Sequence, residues 1–182
     1  MKTKWIKPFE YNLVRLGMIT NIWWVGVKLY KNPVTATKVT GNMVQRFAKL
    51  MGRKKLVRGF KLDKKYYWDM YNPAWPSKGF NAFFRAHLLE VKQTKKEQAT
   101  LRRLIIAITK RCPLKCEHCS EAATLYKKDA LTRDELVAKI DPVVNRGAGQ
   151  LIFTGGEPIN RLDDLLFLLN RYKSKCDQWI YT

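Results

Sequence analysis

The pattern of apolar and polar positions divides the chain into a helix-like first part and an alternating second part. Apolar side chains recur at helical spacing from 35 to 51 and again from 78 to 91. A segment with two prolines, at 71–77, predicts a loop. Residues 104–109 form a continuous apolar run, which is typical of a parallel strand buried on both faces. The chain is therefore predicted to be helical at first and then α/β.

The second part predicts a βαβαβ arrangement. The elements in chain order are a strand at 104–109, a helix opening at a capping box over 132–135, a strand at 150–154, a helix at 162–172 and a third strand from 178. We accordingly divide the chain into a mainly helical region, 1–98, and an α/β region, 99–182. Right-handed crossovers bring the carboxyl ends of parallel strands to one edge, so the loops after the strands are expected to meet.

The excess of basic over acidic residues is confined to the first part of the chain. Residues 1–111 hold 25 basic and 5 acidic side chains, a net charge of +20, whereas residues 112–182 hold 10 of each. The first 111 residues also contain 16 of the 22 aromatic residues. This asymmetry indicates either solvated outer faces of helices or a surface for an anionic partner such as RNA or a membrane.

One uncharged run, Leu16–Val27, contains the neighbouring residues Trp23 and Trp24. It is too short to span a bilayer, which needs about 20 apolar residues. Packing within the protein is the favoured interpretation, and peripheral membrane contact through residues 16–27 is the alternative. The N-terminus has no small-residue cleavage site of a secretory signal, so we expect a cytoplasmic protein.

Three of the four cysteines, Cys112, Cys116 and Cys119, lie within eight residues. Pro113 disfavours a regular helix there, so the segment is expected to wrap around one small object. Structural zinc usually takes four protein ligands, whereas thiolates hold iron-sulfur clusters. A zinc site, a ferredoxin-type site and a cluster with one open iron all remain compatible with this spacing.

A second motif follows the strand predicted at 150–154. The apolar run ends in Gly155, Gly156, Glu157 and Pro158. Glycines let a ligand approach the backbone closely, while Glu157 and exposed carbonyl groups can accept hydrogen bonds from an ammonium group. Pro158 restricts the turn. The segment is therefore a candidate ligand-binding turn.

Together the two motifs resemble the signature of the radical S-adenosylmethionine (SAM) superfamily. The first is Cys-x3-Cys-x2-Cys with His118 in the aromatic position before the last cysteine, and the second is Gly-Gly-Glu-Pro. The resemblance implies that Cys112, Cys116 and Cys119 bind a [4Fe-4S] cluster whose open iron is chelated by SAM. It implies that His118 and residues 155–158 contribute to SAM binding, and that SAM is cleaved reductively to a 5'-deoxyadenosyl radical.

The same resemblance implies a partial (βα) barrel and a partner that donates electrons. The family core usually has six βα units, and this chain ends at the third strand, so we expect a truncated product or a fragment. A peptide or small-molecule substrate is favoured, with RNA as the alternative. Two other classes stay open: a non-catalytic iron-sulfur or metal-binding fragment, and an RNA- or membrane-surface-binding module.

Two further residues are assigned structural roles. His87 lies in the predicted helix at 78–91 without a cysteine or acid at ligand spacing, so it is interpreted as a packing residue. Cys176 precedes the third strand, at the opposite end of the sheet from the other three cysteines, and is expected to be a buried or incidental thiol.

Overall fold

The computed structural model describes residues 3–50, 59–68, 72–91, 101–129 and 131–182. Its elements are β1 (Thr3–Trp5), α1 (Pro8–Tyr30), α2 (Pro33–Leu50), β2 (Phe60–Leu62), β3 (Lys65–Tyr67), α3 (Lys78–Val91), β4 (Arg103–Thr109), α4 (Arg133–Asn145), β5 (Gln150–Gly155), α5 (Leu162–Tyr172) and β6 (Asp177–Ile180). A short 3-10 turn, Pro158–Arg161, precedes α5. The predicted α/β class is confirmed, and the helix predicted at 78–91 coincides with α3.

The second part of the chain forms a parallel sheet with the strand order β4-β5-β6. The predicted βαβαβ arrangement is therefore confirmed. Helix α4 begins at the predicted capping box, in which Glu135 N donates to Thr132 Oγ1 and Thr132 N donates to Glu135 Oε2. Helices α4 and α5 bury one face of the sheet. The buried residues of this core are Ile108, Leu136, Ile140, Val144, Leu151, Phe153, Leu165, Leu168, Tyr172 and Cys176.

The expectation that the first parallel strand is buried on both faces is wrong. In β4, Ile105 is 54% exposed and Ala107 is exposed, whereas Ile108 is only 2% exposed. Strand β4 is an edge strand, and Leu104 and Ile106 point with Ile108 into the core beneath α4 and α5. Within the described residues the alternate face of β4 is open.

The N-terminal region packs α1, α2 and α3 around an aromatic core. Its buried members are Ile22, Val39, Met43, Phe80, Phe83, Phe84 and Leu88. Helix α2 accounts for the pattern predicted at 35–51, although residue 51 lies outside the described residues. Ile22 is buried as the packing interpretation requires, but Leu16 is 62% and Trp24 50% exposed. None of the described helices is both long and apolar enough to cross a membrane.

A small antiparallel sheet, with the order β1-β2-β3, was not predicted. Its hairpin turns at Asp63, which has a φ of 52°. Across the hairpin the rings of Phe60 and Tyr67 stack with their centroids 5.0 Å apart. Several lysines in and beside the hairpin conceal this pairing, because they interrupt the apolar alternation by which a strand is predicted. The basic segment 53–58 lies outside the described residues.

The N-terminal region contacts the amino end of the parallel sheet. Asp177, at the start of β6, accepts hydrogen bonds from Ala74 N at 2.5 Å and from Ser77 Oγ at 3.2 Å. Gly149 lies so close to α3 that an added Cβ would collide with the carbonyl oxygen of Gly79. The helical region and the α/β region therefore share a packed interface.

Both residues with predicted structural roles are packed. The rings of Phe83 and Phe84 flank His87, and Arg102 Nη1 lies 2.7 Å from His87 Nε2. Burial, together with the positive charges of Arg102 and Arg103, lowers the pKa of His87 to about 4. Cys176 is 5% exposed, and burial raises the pKa of its thiol to about 12. Both packing interpretations are confirmed.

Candidate functional site

Two loops leave the carboxyl end of the parallel sheet side by side. The cysteine loop, residues 110–119, follows β4, and the glycine turn, residues 155–158, follows β5. Gly156 N donates to the carbonyl oxygen of Thr109 at 2.8 Å, and Glu157 N donates to that of Arg111, also at 2.8 Å. The backbone thus joins the segments that carry the two sequence motifs, as the parallel topology led us to expect.

Only glycine fits at two positions of the glycine turn. Gly155 has a φ of +146°, which side chains of L-residues rarely tolerate. A Cβ at Gly156 would collide with the carbonyl oxygen of Arg111 and would lie 3.0 Å from the Cβ of Cys112. The turn therefore lies directly against the first cysteine, and a larger residue would displace the cysteine loop.

The three thiols of the cysteine loop reach solvent. Cys112 and Cys119 are partly exposed and Cys116 is exposed, and none of them is in a disulfide. Cys119 N donates to the carbonyl oxygen of Cys116 at 3.3 Å, and His118 between them is exposed. Among the described residues, no three His, Cys, Asp or Glu side chains are arranged to hold a metal ion. The structure therefore brings the two loops together without gathering the three thiols at one point.

The donor set nevertheless suits an iron-sulfur cluster. Three thiols on one irregular, accessible loop can supply the soft thiolate ligands that such clusters require. The fourth cysteine, Cys176, is buried before β6 at the opposite end of the sheet and is not available to this loop. The loop thus offers three cysteine ligands, and the glycine turn borders the first of them.

Glu157 is held in place by hydrogen bonds to both of its carboxylate oxygens. Its Oε1 accepts from Ile159 N at 3.1 Å, and its Oε2 accepts from Thr182 Oγ1 at 3.0 Å. The first bond caps the 3-10 turn that begins at the buried Pro158. Carboxylate oxygens have further lone pairs, so Glu157 can still accept from an ammonium group at the sheet edge.

Asp129 anchors the start of the cysteine loop, and no sequence motif had singled it out. It accepts hydrogen bonds from Thr109 Oγ1 and from Lys110 N, both at 2.8 Å, and Arg111 Nε lies 3.5 Å away. Burial opposes ionisation of this carboxyl, but the two hydrogen bonds and the positive charges of Arg111 and Arg161 outweigh it and lower the pKa. Asp129 therefore holds a negative charge beneath the loop.

Tyr126 fastens the middle of the same loop. Its backbone N–H donates to the carbonyl oxygen of Lys110 at 2.9 Å, and its hydroxyl donates to that of Leu114 at 2.7 Å. Neither bond has a sequence signal, because the partners lie 12 to 16 residues apart in irregular chain. The fold of the loop thus depends on residues outside the cysteine motif.

Arg161 connects the strand, the helices and the loop. Its Nη1 donates to the carbonyl oxygens of Ile108 at 2.6 Å and Leu131 at 2.9 Å. Its guanidinium also pairs with Asp164, which Arg133 contacts at 2.5 Å. Burial opposes ionisation of Asp164, but the hydrogen bonds from Arg133 and Arg161 outweigh it and lower the pKa. Arg161 therefore fixes the end of β4, from which the cysteine loop departs.

Comparison with known proteins finds a family match over this site. Residues 106–177 match the sequence model of the Radical SAM superfamily. Over 79 residues the chain is 34% identical to an Fe-coproporphyrin III synthase of Methanosarcina barkeri, covering 43% of this chain and 18% of that protein. Over 80 residues it is 35% identical to a PqqA peptide cyclase of Bradyrhizobium diazoefficiens, covering 43% and 20%.

A third relative is a GTP 3',8-cyclase of Rhizobium meliloti, which is 37% identical over 68 residues, or 36% of this chain and 19% of that enzyme. The alignments thus span about a fifth of the length of these curated relatives. No solved structure matches the chain significantly. The family match runs from within β4 to the first residue of β6, so it includes the cysteine loop and the glycine turn.

Proposed function

We propose that this chain is a radical SAM enzyme or a fragment of one, because residues 106–177 match the model of that superfamily, whose members use a [4Fe-4S] cluster and SAM. The reaction is reductive cleavage of SAM to methionine and a 5'-deoxyadenosyl radical. The observation that supports this most is the direct backbone pairing of the cysteine loop with the glycine turn, through Gly156 N to Thr109 and Glu157 N to Arg111.

In this proposal each motif has a separate task. Cys112, Cys116 and Cys119 hold the cluster, and the exposed His118 lines the loop beside them. The turn at 155–158 receives the methionine end of SAM, where the Glu157 carboxylate and backbone carbonyl groups of the turn accept from the α-ammonium group. Bound together, the cluster and SAM supply the electron transfer that breaks a carbon–sulfur bond. The residues of this chain bind and orient the cluster and SAM.

The substrate remains a proposal at the level of chemical class. The names of the relatives refer to a peptide, a nucleotide and a porphyrin. We therefore favour a peptide or a small-molecule cofactor precursor, and an external protein as electron donor. Three accessible thiols survive unoxidised only in a reducing compartment, which favours the cytoplasm.

The test is anaerobic reconstitution of the chain with iron and sulfide, followed by measurement of iron and labile sulfide per chain. SAM and a strong reductant are then added and 5'-deoxyadenosine is quantified. We expect Cys116→Ala to lower bound iron at least fivefold and to abolish 5'-deoxyadenosine. Cys176→Ala is the matched control, because it removes a thiol remote from the loop and should leave bound iron unchanged.

A second pair of variants tests the turn. Gly156→Ala should lower bound iron severalfold, since the added Cβ would collide with the carbonyl oxygen of Arg111. Gly41→Ala is its control, because no other heavy atom lies within 4 Å of a Cβ at Gly41. Equal iron in wild type and Cys116→Ala would contradict the proposed ligands. Iron binding without SAM cleavage would instead support a non-catalytic iron-sulfur protein.

A further inference from the structure

Helix α1 has two apolar faces, and only one of them is packed. At about 100° per residue, the residues that pack against α2 and α3 fall on one side: Met18, Ile22, Val25 and Leu29. On the opposite side, about 160° away, lies a second apolar row, which we call the outer stripe: Phe9, Leu13, Leu16 and Trp24. These are 77%, 58%, 62% and 50% exposed, respectively.

Such an exposed row is unusual for a helix that is already anchored. A helix that is apolar on all sides is normally buried on all sides, and contiguous exposed apolar surface marks an interaction site. Trp5, which precedes α1, is also 71% exposed. The outer stripe thus needs an apolar partner.

The charges around the stripe define that partner. The segment that carries the stripe, residues 3–31, holds a single acidic side chain, Glu10, against five basic ones: Lys4, Lys7, Arg15, Lys28 and Lys31. A second copy of the chain would bring like charges together, which disfavours a symmetric dimer across this face. An apolar surface bordered by cations instead complements a partner that is apolar inside and anionic at its surface.

A groove beside the stripe is lined partly by basic side chains. It has a volume of about 440 Å³ and lies between α1 and α3, and its lining includes Trp24, Lys28, Arg85 and Asn81. Lys28 Nζ lies 5.9 Å from the centroid of the exposed Trp24 ring, so a cation and an interfacial aromatic residue stand together. The groove can receive an anionic headgroup while the stripe contacts acyl chains.

We propose that the outer stripe of α1 is a docking surface for an anionic lipid bilayer. Phe9, Leu13 and Leu16 enter the interfacial layer, Trp24 lies at the headgroup level, and Lys28 and Arg85 contact phosphate. RNA is the less suitable partner, because Leu13 and Leu16 offer no flat ring on which a base could stack. This surface is independent of the cysteine loop.

The test uses the whole chain with vesicles of phosphatidylcholine, alone or mixed with phosphatidylserine. We expect co-sedimentation with the anionic vesicles at low salt and at least tenfold weaker binding to neutral ones. Lipids with brominated acyl chains should quench the tryptophan fluorescence of the wild-type protein, which is a readout that needs no variant. Leu13→Glu/Leu16→Glu should weaken binding to anionic vesicles at least tenfold.

The matched control is Asn42→Glu/Gln45→Glu, which adds the same two negative charges at exposed positions of α2. It should weaken vesicle binding much less than the stripe variant, and the circular dichroism melting curves of both variants should match that of the wild type. Equal loss in the two variants, absence of quenching, or a wild-type dimer that only the stripe variant dissociates would overturn the proposal. Tight RNA binding with no vesicle binding would do the same.

Discussion

The two ends of the parallel sheet differ in how they are covered. At the amino end, α3 and residues 72–77 pack against the strands, Asp177 is partly buried, and Gly149 leaves no room for a side chain. At the carboxyl end, the cysteine loop and the glycine turn pair with each other through the backbone but keep their thiols accessible. The amino end of the sheet is therefore the packed end that stabilises the fold, and the carboxyl end carries the reactive thiols.

The difference shows how a small sheet can carry reactive thiols without depending on them for folding. The core beneath α4 and α5 and the amino-end interface supply the apolar burial, so the cysteine loop needs only local hydrogen bonds from Asp129 and Tyr126. Substitutions at the amino end should therefore change the free energy of unfolding, whereas changes in the loop should change ligand binding.

The largest expected contrast is in thiol reactivity. In the native protein without iron, iodoacetamide at pH 8 should modify Cys112, Cys116 and Cys119, while Cys176 stays unmodified. A pKa of about 12, against an ordinary 9.0, gives Cys176 a thiolate fraction about a thousandfold smaller. Mass spectrometry over time should show three adducts, and a fourth only after unfolding in urea. Rapid native labelling of Cys176 would show that the amino end is not closed.

Next in size is Gly149→Ala at the amino end. Its Cβ would collide with the carbonyl oxygen of Gly79 and lie 2.7 Å from Phe83 N, so backbone must move. We expect the free energy of unfolding in urea to fall by about 3 kcal/mol. Gly41→Ala, on α2, should leave it unchanged or raise it by up to about 1 kcal/mol. Similar results for both variants would mean that the close approach of α3 is unimportant.

Asp177→Ala should have a smaller effect. It leaves Ala74 N and Ser77 Oγ without their acceptor, which should lower the free energy of unfolding by about 2 kcal/mol. Asp177→Asn keeps one acceptor oxygen, and since burial already raises the pKa of this carboxyl, the neutral amide should cost less than half as much. Iron content after reconstitution should stay at the wild-type level. A loss of iron in either variant would show that the amino and carboxyl ends of the sheet are energetically coupled.

The smallest expected effect is the pH dependence contributed by His87. Its pKa falls from 6.5 to about 4 on folding, so the unfolded chain binds a proton first as the pH drops. His87 thus leaves the free energy of unfolding unchanged above pH 6.5 and lowers it as the pH falls towards 4. Because the ring is only partly buried, we expect the free energy of unfolding to fall by about 1 to 2 kcal/mol between pH 7 and pH 5. Urea unfolding at the two pH values should show a smaller decline in His87→Gln, and an unchanged decline would exclude His87 as its source.

Much of the parallel sheet could be predicted from local pattern. The helix at 162–172 and the capping box at Thr132 are read within a few residues, because their signals are periodicity and side-chain-to-backbone spacing. The proximity of the cysteine loop and the glycine turn could also be predicted, since parallel topology places the carboxyl ends of successive strands at one edge.

The features that the sequence did not predict depend on residues far away along the chain. The apolar run of β4 does not show how many faces are covered, and Ile105 proved exposed. Asp129 accepts from Lys110 and Thr109, 19 and 20 residues away, and Arg161 donates to Leu131 and Ile108, 30 and 53 residues away, so no local spacing marks these contacts. The β2–β3 hairpin was missed because its lysines obscure the alternation that Phe60, Leu62 and Tyr67 would otherwise show.

The guanidinium group of Arg161 bonds to three segments of the chain at once. Its bonds to Ile108 and Leu131 and its pairing with Asp164 join the end of β4, the approach to α4 and the first turn of α5. Segments joined in this way open together rather than one by one, as a single cooperative unit in native-state hydrogen exchange. The cysteine loop begins directly after Ile108 and Thr109, so its first residues should exchange their amide hydrogens together with the end of β4.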